Sequence, residues 1–205
     1  MVRTASTMLP LGTPLPPFEL PIVQGIKSSN QFFKDSKNIS NKMLIQKPLL
    51  LMVICAHCPF VKHLENGISQ LDKDYEGRIQ IIAISSNSLA THPQDGPDYL
   101  AEQANQQEWR FPYLVDLNQS LAKALKAACT PDFFLFSPLS NGGQQLRYRG
   151  QFDESRPGND IPATGKDLRN ALDLVLQGEE VSFKQKPSIG CNIKWHPGQE
   201  PSWFG

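Results

Sequence analysis

An α/β fold with a central mixed β-sheet flanked by helices is what this sequence predicts, and three observations carry that expectation. The run Leu49-Leu50-Leu51-Met52-Val53-Ile54 is apolar at consecutive positions, the pattern of a strand covered on both faces in a parallel sheet. After it, Phe60, Val61, Leu64, Ile68 and Leu71 recur at helical spacing, while Lys62, His63, Glu65 and Gln70 take the opposite face. Pro59 sits at a tolerated first-turn position and Gly77 marks the stop. A second buried run, Ile79-Gln80-Ile81-Ile82-Ala83-Ile84, then completes a βαβ unit, whose crossover should be right-handed.

The other elements follow in chain order. An N-terminal extension rich in proline (Pro10, Pro14, Pro16, Pro17, Pro21) leaves room for one short strand over 18–23, ended by Gly25. Residues 87–117 read as an inserted helical segment: a loop through Thr91-His92-Pro93, a helix over 98–109, then the apolar stretch from Phe111 to Asp116. Asn118 is a candidate cap for a helix over 119–128. Thr130-Pro131 precedes the strand Phe133-Phe134-Leu135-Phe136, and Asn141-Gly142-Gly143 is a turn signal that returns residues 145–150 antiparallel as a hairpin. The last helix is expected over 167–177, with Thr164-x-x-Asp167 as a capping box and Gly178 at its end. Residues 181–205, with Pro187, Pro197 and Pro201 and no periodicity, are expected to form an irregular tail.

The chain has 205 residues, and its 40% apolar composition suffices for one core. A single domain over 1–205 is expected, with its core at about 14–180. Twenty basic residues balance twenty acidic ones, so no global field recruits nucleic acid or an anionic membrane. The opening from Met1 to Pro10 has no long apolar segment, and nowhere do eighteen apolar residues run together; the expected location is the cytoplasm. No G-x-G-x-x-G follows a strand and no phosphate-binding P-loop is present, so no cofactor is expected.

Chemistry concentrates in Cys55-Ala56-His57-Cys58, between the first core strand and its helix. Unpaired N–H groups and the positive end of the helix dipole lower the pKa of a thiol placed there. Two cysteines at this spacing predict a redox dithiol, with Cys55 as the exposed nucleophile and Cys58, one turn inward, as the shielded resolving thiol. His57 would tune the pair by placing a cation beside the thiolate. His63 falls on the polar helix face. Cys129 and Cys191 complete the four cysteines, too few for a disulfide scaffold in a chain of this length, and Cys191, in the tail, leaves a resolving or regulatory role open.

Three segments in this order resemble one family: Leu15-Pro16-Pro17-Phe18-Glu19-Leu20-Pro21, the core from Ile54 to His63, and Cys129-Thr130-Pro131-Asp132-Phe133-Phe134-Leu135-Phe136. Together they resemble the redoxin or AhpC/TSA-like branch of the thioredoxin-like proteins. The resemblance implies a thioredoxin-like fold, a cis Pro131 facing the dithiol, and Thr130 offering main-chain hydrogen bonds to an incoming partner, with Cys129 beside it near the thiols. It further implies a thiol-disulfide oxidoreductase that acts on protein or small-molecule disulfides or peroxides and draws electrons from a thiol reductant. Two alternatives stay open. A peroxidase would place Cys58 as the reactive thiol with Cys55 where peroxiredoxins carry Thr, although Leu51 stands at the upstream proline position. A copper or zinc carrier would use Cys55 and Cys58 with His63 or Cys129 as soft ligands.

Overall fold

The computed structural model describes residues 3–27, 36–44, 46–140 and 142–204. A five-stranded sheet forms its centre, built from β4 (Leu49–Val53), β5 (Gln80–Ser85), β6 (Tyr113–Val115), β8 (Asp132–Pro138) and β9 (Gln144–Gly150). Their order is β6-β5-β4-β8-β9: β4 and β6 run parallel to β5, while β8 runs antiparallel to both β4 and β9. The βαβ unit and the hairpin therefore form as their patterns predict; Asn141 of the expected turn lies outside the described residues.

Alternation along β4 divides the core between the two faces of the sheet. Leu50 and Met52 face α1 (Pro59–Asp74), α2 (Pro97–Gln106) and α4 (Lys166–Gln177), whereas Leu49, Leu51 and Val53 face α3 (Ser120–Ala124) and the N-terminal extension. Val61, Ile68 and Leu71 of α1 are at most 1% exposed, so each stabilises the fold by about 1.5–3 kcal/mol. That packing holds the N-terminus of α1 rigidly against the end of β4.

Several boundaries differ from the sequence reading for local reasons. Helix α3 ends at Ala124, and its N-cap Gln119 adopts a left-handed conformation (φ 60°). Asn118 Oδ1 accepts the amide of Ser120 at 3.1 Å, and the buried Asp116 carboxylate shares the capping, accepting the amides of Leu121 at 3.3 Å and Ala122 at 2.9 Å. No capping box forms at α4, whose N-cap is Gly165. There the Asp153 carboxylate accepts the amides of Thr164 and Gly165 at 2.7 and 2.6 Å. Helix α2 stops before Trp109, which is fully buried and donates its Nε1–H to Ser69 Oγ at 2.9 Å.

The largest departure is the expected irregular tail. Ile189–Asn192 forms a strand, β10, between β1 (Arg3–Ala5) and β7 (Cys129–Thr130) in a separate three-stranded sheet. The expected strand over 18–23 is confined to β2 (Glu19–Pro21), which pairs with β3 (Asn38–Ser40). Sequence periodicity could not reveal β1, β3 or β10, because strands of three or four residues show at most two full alternations.

Candidate active site

The site is assembled where three elements converge: the end of β4, the N-terminus of α1 and the loop joining β7 to β8. Cys58 is the N-cap of α1, followed by Pro59 at the first helical position. Proline spends no amide there and has a fixed φ suited to the first turn. The Thr130-Pro131 bond is cis. Thr130 meets both cysteines: its Oγ1 lies 3.6 Å from Cys55 Sγ, and its carbonyl accepts from the Cys58 thiol at 3.2 Å.

Both sulfurs are sealed. Cys55 and Cys58 are each 0% exposed, which overturns the expectation of an exposed Cys55. The two thiols also differ in opposite senses. Burial pushes the Cys55 thiol well up, reinforced by its hydrogen bond to Cys58 and by the nearby Asp95 carboxylate. Cys58 is held well below the ordinary thiol range: the Cys191 and Cys55 side chains donate to it, and together with Thr130 and the Val61 amide they outweigh its burial. Of the two thiols, Cys58 is thus the more acidic.

His57 is half-buried, and its Nδ1 lies 2.6 Å from Asp95 Oδ2 and 3.8 Å from Cys55 Sγ. With the carboxylate as acceptor, Nδ1 carries the proton and the free ring nitrogen is Nε2. Asp95, missed in the sequence, organises this turn. Its Oδ1 accepts the amides of Ala56 at 3.0 Å and His57 at 3.1 Å, and its Oδ2 also accepts Asn87 Nδ2 at 2.7 Å. Burial alone would raise the Asp95 pKa, but the bonds from His57 and Asn87 hold it below the ordinary carboxylate value. In the sequence, Asp95 lies in Pro93-Gln94-Asp95-Gly96, which is indistinguishable from a surface turn.

Cys129 lies near enough to Cys58 for the two to interact electrostatically, as expected, but it makes its hydrogen bonds elsewhere. Its sulfur turns to the carbonyls of Pro131 at 3.7 Å and Ser188 at 3.9 Å. Consecutive strand residues point to opposite faces, so Thr130 facing the dithiol sends Cys129 the other way. His63 bonds Ser155 Oγ at 2.6 Å. Neither residue is in the cluster of potential ligand atoms formed by Cys55, His57 and Asp95, which lie within 4.8 Å of one another. In that cluster the Asp95 oxygens already receive four hydrogen bonds, an arrangement that makes Asp95 a clamp for the turn and leaves little of the carboxylate for a metal.

The residue that does reach the dithiol is Cys191. Its strand register sets it directly opposite Thr130, on the same face of the sheet. None of the four cysteines forms a disulfide. Beside the cis bond, Phe60, Leu64, Pro131 and Ile189 line a small recess together with the polar Gln151 and Arg156.

The chain matches the family model described as the AhpC/TSA family over residues 11–152. It belongs to the AhpC/TSA family. Two solved structures are similar to it along almost its whole length. One, an uncharacterised conserved protein from Geobacillus kaustophilus, shares 42% identity with a TM-score of 0.86, covering 97% of this chain and 98% of that one. The other, a hypothetical protein from Sinorhizobium meliloti 1021, shares 38% identity with a TM-score of 0.84, covering 95% and 100%. A thioredoxin-like protein solved in its oxidised form, at 20% identity and a TM-score of 0.58, covers 84% of this chain and 100% of its own and shares the fold. No curated protein matches the chain. The family and fold make this AhpC/TSA member a thioredoxin-like protein of thiol redox chemistry. No helix among its described residues is long and apolar enough to cross a membrane.

Proposed function

We propose that this AhpC/TSA protein is a thiol-disulfide oxidoreductase working through Cys55 and Cys58, with the attacking thiolate on Cys58. The observation that carries the reading is the placement of Cys58 as N-cap of α1, where the Cys55 and Cys191 side chains and the Val61 amide donate to its sulfur, with Thr130 and the cis Pro131 opposite. The roles are thus exchanged relative to the sequence expectation. The Cys58 thiolate attacks one sulfur of a substrate disulfide, a mixed disulfide forms, and the other substrate sulfur leaves as a thiolate. Cys55 then attacks the Cys58 sulfur, the Cys55–Cys58 bond forms, and the second substrate thiolate leaves, taking the proton that Cys55 gives up. Substrate disulfide and two protein thiols become two substrate thiols and one protein disulfide; a thiol reductant reverses the protein's half.

The recess beside Pro131, with Ile189 exposed at its edge, supports a protein or peptide partner that docks there. A peroxidase reading draws on the same Cys58 thiolate, because a thiolate at a helix N-terminus is also the form that attacks peroxide. Disulfide exchange is favoured because Cys55, the partner required for an intramolecular disulfide, shares a hydrogen bond with Cys58.

The test measures exchange with a small aromatic disulfide and consumption of hydrogen peroxide on one sample. Wild type should undergo exchange and yield a Cys55–Cys58 disulfide by mass spectrometry, and Cys58→Ser should lose the reaction. Retention of exchange by Cys58→Ser would refute the assignment of the thiolate. Fast peroxide consumption with negligible disulfide exchange would replace the oxidoreductase reading with the peroxidase one.

A further inference from the structure

Cys191 lies on a strand 133 residues beyond Cys58 (191 − 58), yet the fold delivers its thiol to the same sulfur that Cys55 contacts. The path is explicit. Strand β10 pairs with β7 so that Cys191 opposes Thr130, whose carbonyl is 3.2 Å from Cys58 Sγ. Gly190 permits the approach, since a Cβ there would lie 2.0 Å from the Thr130 carbonyl oxygen. The Cys191 side chain hydrogen-bonds Cys58, and its sulfur also receives the Phe60 amide, as Cys58 receives that of Val61. Adjacent amides of the first turn of α1 thus serve two different cysteines. Cys191 is only 2% exposed, so its neighbour in the reaction is Cys58 rather than solvent.

We infer that Cys191 is a second resolving thiol, which competes with Cys55 for the sulfur of Cys58. The inference rests on the proposed thiolate at Cys58. When Cys58 carries a mixed disulfide, Cys191 gives up its proton and attacks the Cys58 sulfur. The Cys58–Cys191 bond forms, the bond to the substrate breaks, and the substrate thiolate leaves with the proton. The same step acts on an existing Cys55–Cys58 disulfide: Cys191 displaces Cys55, which takes the proton, and no net oxidation occurs. Before reaction, donation to the Cys58 thiolate is the main influence that keeps Cys191 protonated. Once Cys58 is in a disulfide, that negative charge is gone and the restraint is lifted. The oxidised pair is then carried by β10, whose first residue, Ile189, lines the recess beside Pro131.

The experiment treats wild type, Cys55→Ser and Cys55→Ser/Cys191→Ser with oxidised glutathione, then identifies linked peptides by mass spectrometry without reduction. Cys55→Ser should release glutathione and yield a Cys58–Cys191 link, whereas the double variant should retain glutathione on Cys58. A Cys55→Ser protein that keeps the glutathione adduct overturns the inference. If wild type in the same series forms Cys55–Cys58, the proposed oxidoreductase couple still stands. A Cys58–Cys191 link in Cys55→Ser with no Cys55–Cys58 bond in wild type would support Cys191 and refute that couple. Failure of every form to react overturns both. Cys191→Ala in place of Cys191→Ser, with thermal melts of each variant, separates loss of the thiol from loss of the fold.

Discussion

Replacing Asp95 with alanine removes a fully buried carboxylate that fastens the redox turn to its surroundings. Four donors lose their acceptor: the amides of Ala56 and His57, Nδ1–H of His57 and Nδ2–H of Asn87, at 2.6–3.1 Å. Bonds to a charged acceptor are worth about 1.5–3 kcal/mol each. Ala56 and His57 are only half-buried and can recover water, so the four losses do not add. The buried Asn87 and the loosened turn give an expected cost of about 3 kcal/mol, large for a single substitution. Urea denaturation at neutral pH measures it. The sign with pH is also fixed. A carboxylate whose folded pKa is depressed contributes stability above its unfolded value, and that contribution is lost as pH falls through the folded value. Wild type should therefore lose stability below about pH 4, and Asp95→Asn should show a smaller decline there. Because the Asp95 charge helps to raise the Cys55 thiol, Asp95→Asn should also lower the pKa of Cys55, read from thiolate absorbance against pH. A loss below about 1 kcal/mol in the alanine variant, together with an unchanged Cys55 titration in Asp95→Asn, would refute the clamp.

Gly190→Ala should destabilise the protein by about 2 kcal/mol in denaturant titration, because its Cβ would lie 2.0 Å from the Thr130 carbonyl oxygen and force β10 off β7. Asp132 is 1% exposed, and burial pushes its pKa well up against the smaller opposing influence of Ser188 and the Phe133 amide. Its contribution to stability is complete below the unfolded value near pH 4 and is lost as pH rises through the raised folded value, so Asp132→Asn should flatten the decline of wild-type stability toward neutral pH in melts across a pH series. Trp109→Phe deletes the bond to Ser69 Oγ and leaves space in the core, at an expected cost of about 2 kcal/mol by chemical denaturation.

What was readable in the sequence was local. The apolar run in β4, the helical spacing in α1 and the Cys55-x-x-Cys58 turn are each set by neighbours within a few residues. Asp95 was invisible because its four donors come from segments that only tertiary structure brings to it. The placement of Cys191 was invisible for a related reason: it depends on the pairing of a short strand with residues 129 and 130, and periodicity carries no information about such a partner. Even the mistaken exposure of Cys55 has this origin. A turn following a strand is ordinarily at the surface, but here Thr130 closes over it.

The three-stranded sheet over the cysteines has a consequence for the order in which the chain folds. Pairing Arg3 with Cys191 closes a loop of 188 residues (191 − 3), with an entropic cost of about 5 kcal/mol if the chain between them were still unfolded. Strands of two to four residues cannot meet that cost alone. The five-stranded sheet must assemble first and shorten the effective loop, so the cover over the sulfurs is added to a finished scaffold. During synthesis and refolding, Cys55 and Cys58 are accordingly brought together before Cys191 arrives, and the order of folding favours the nearer pair as the first bond to form in an oxidising medium.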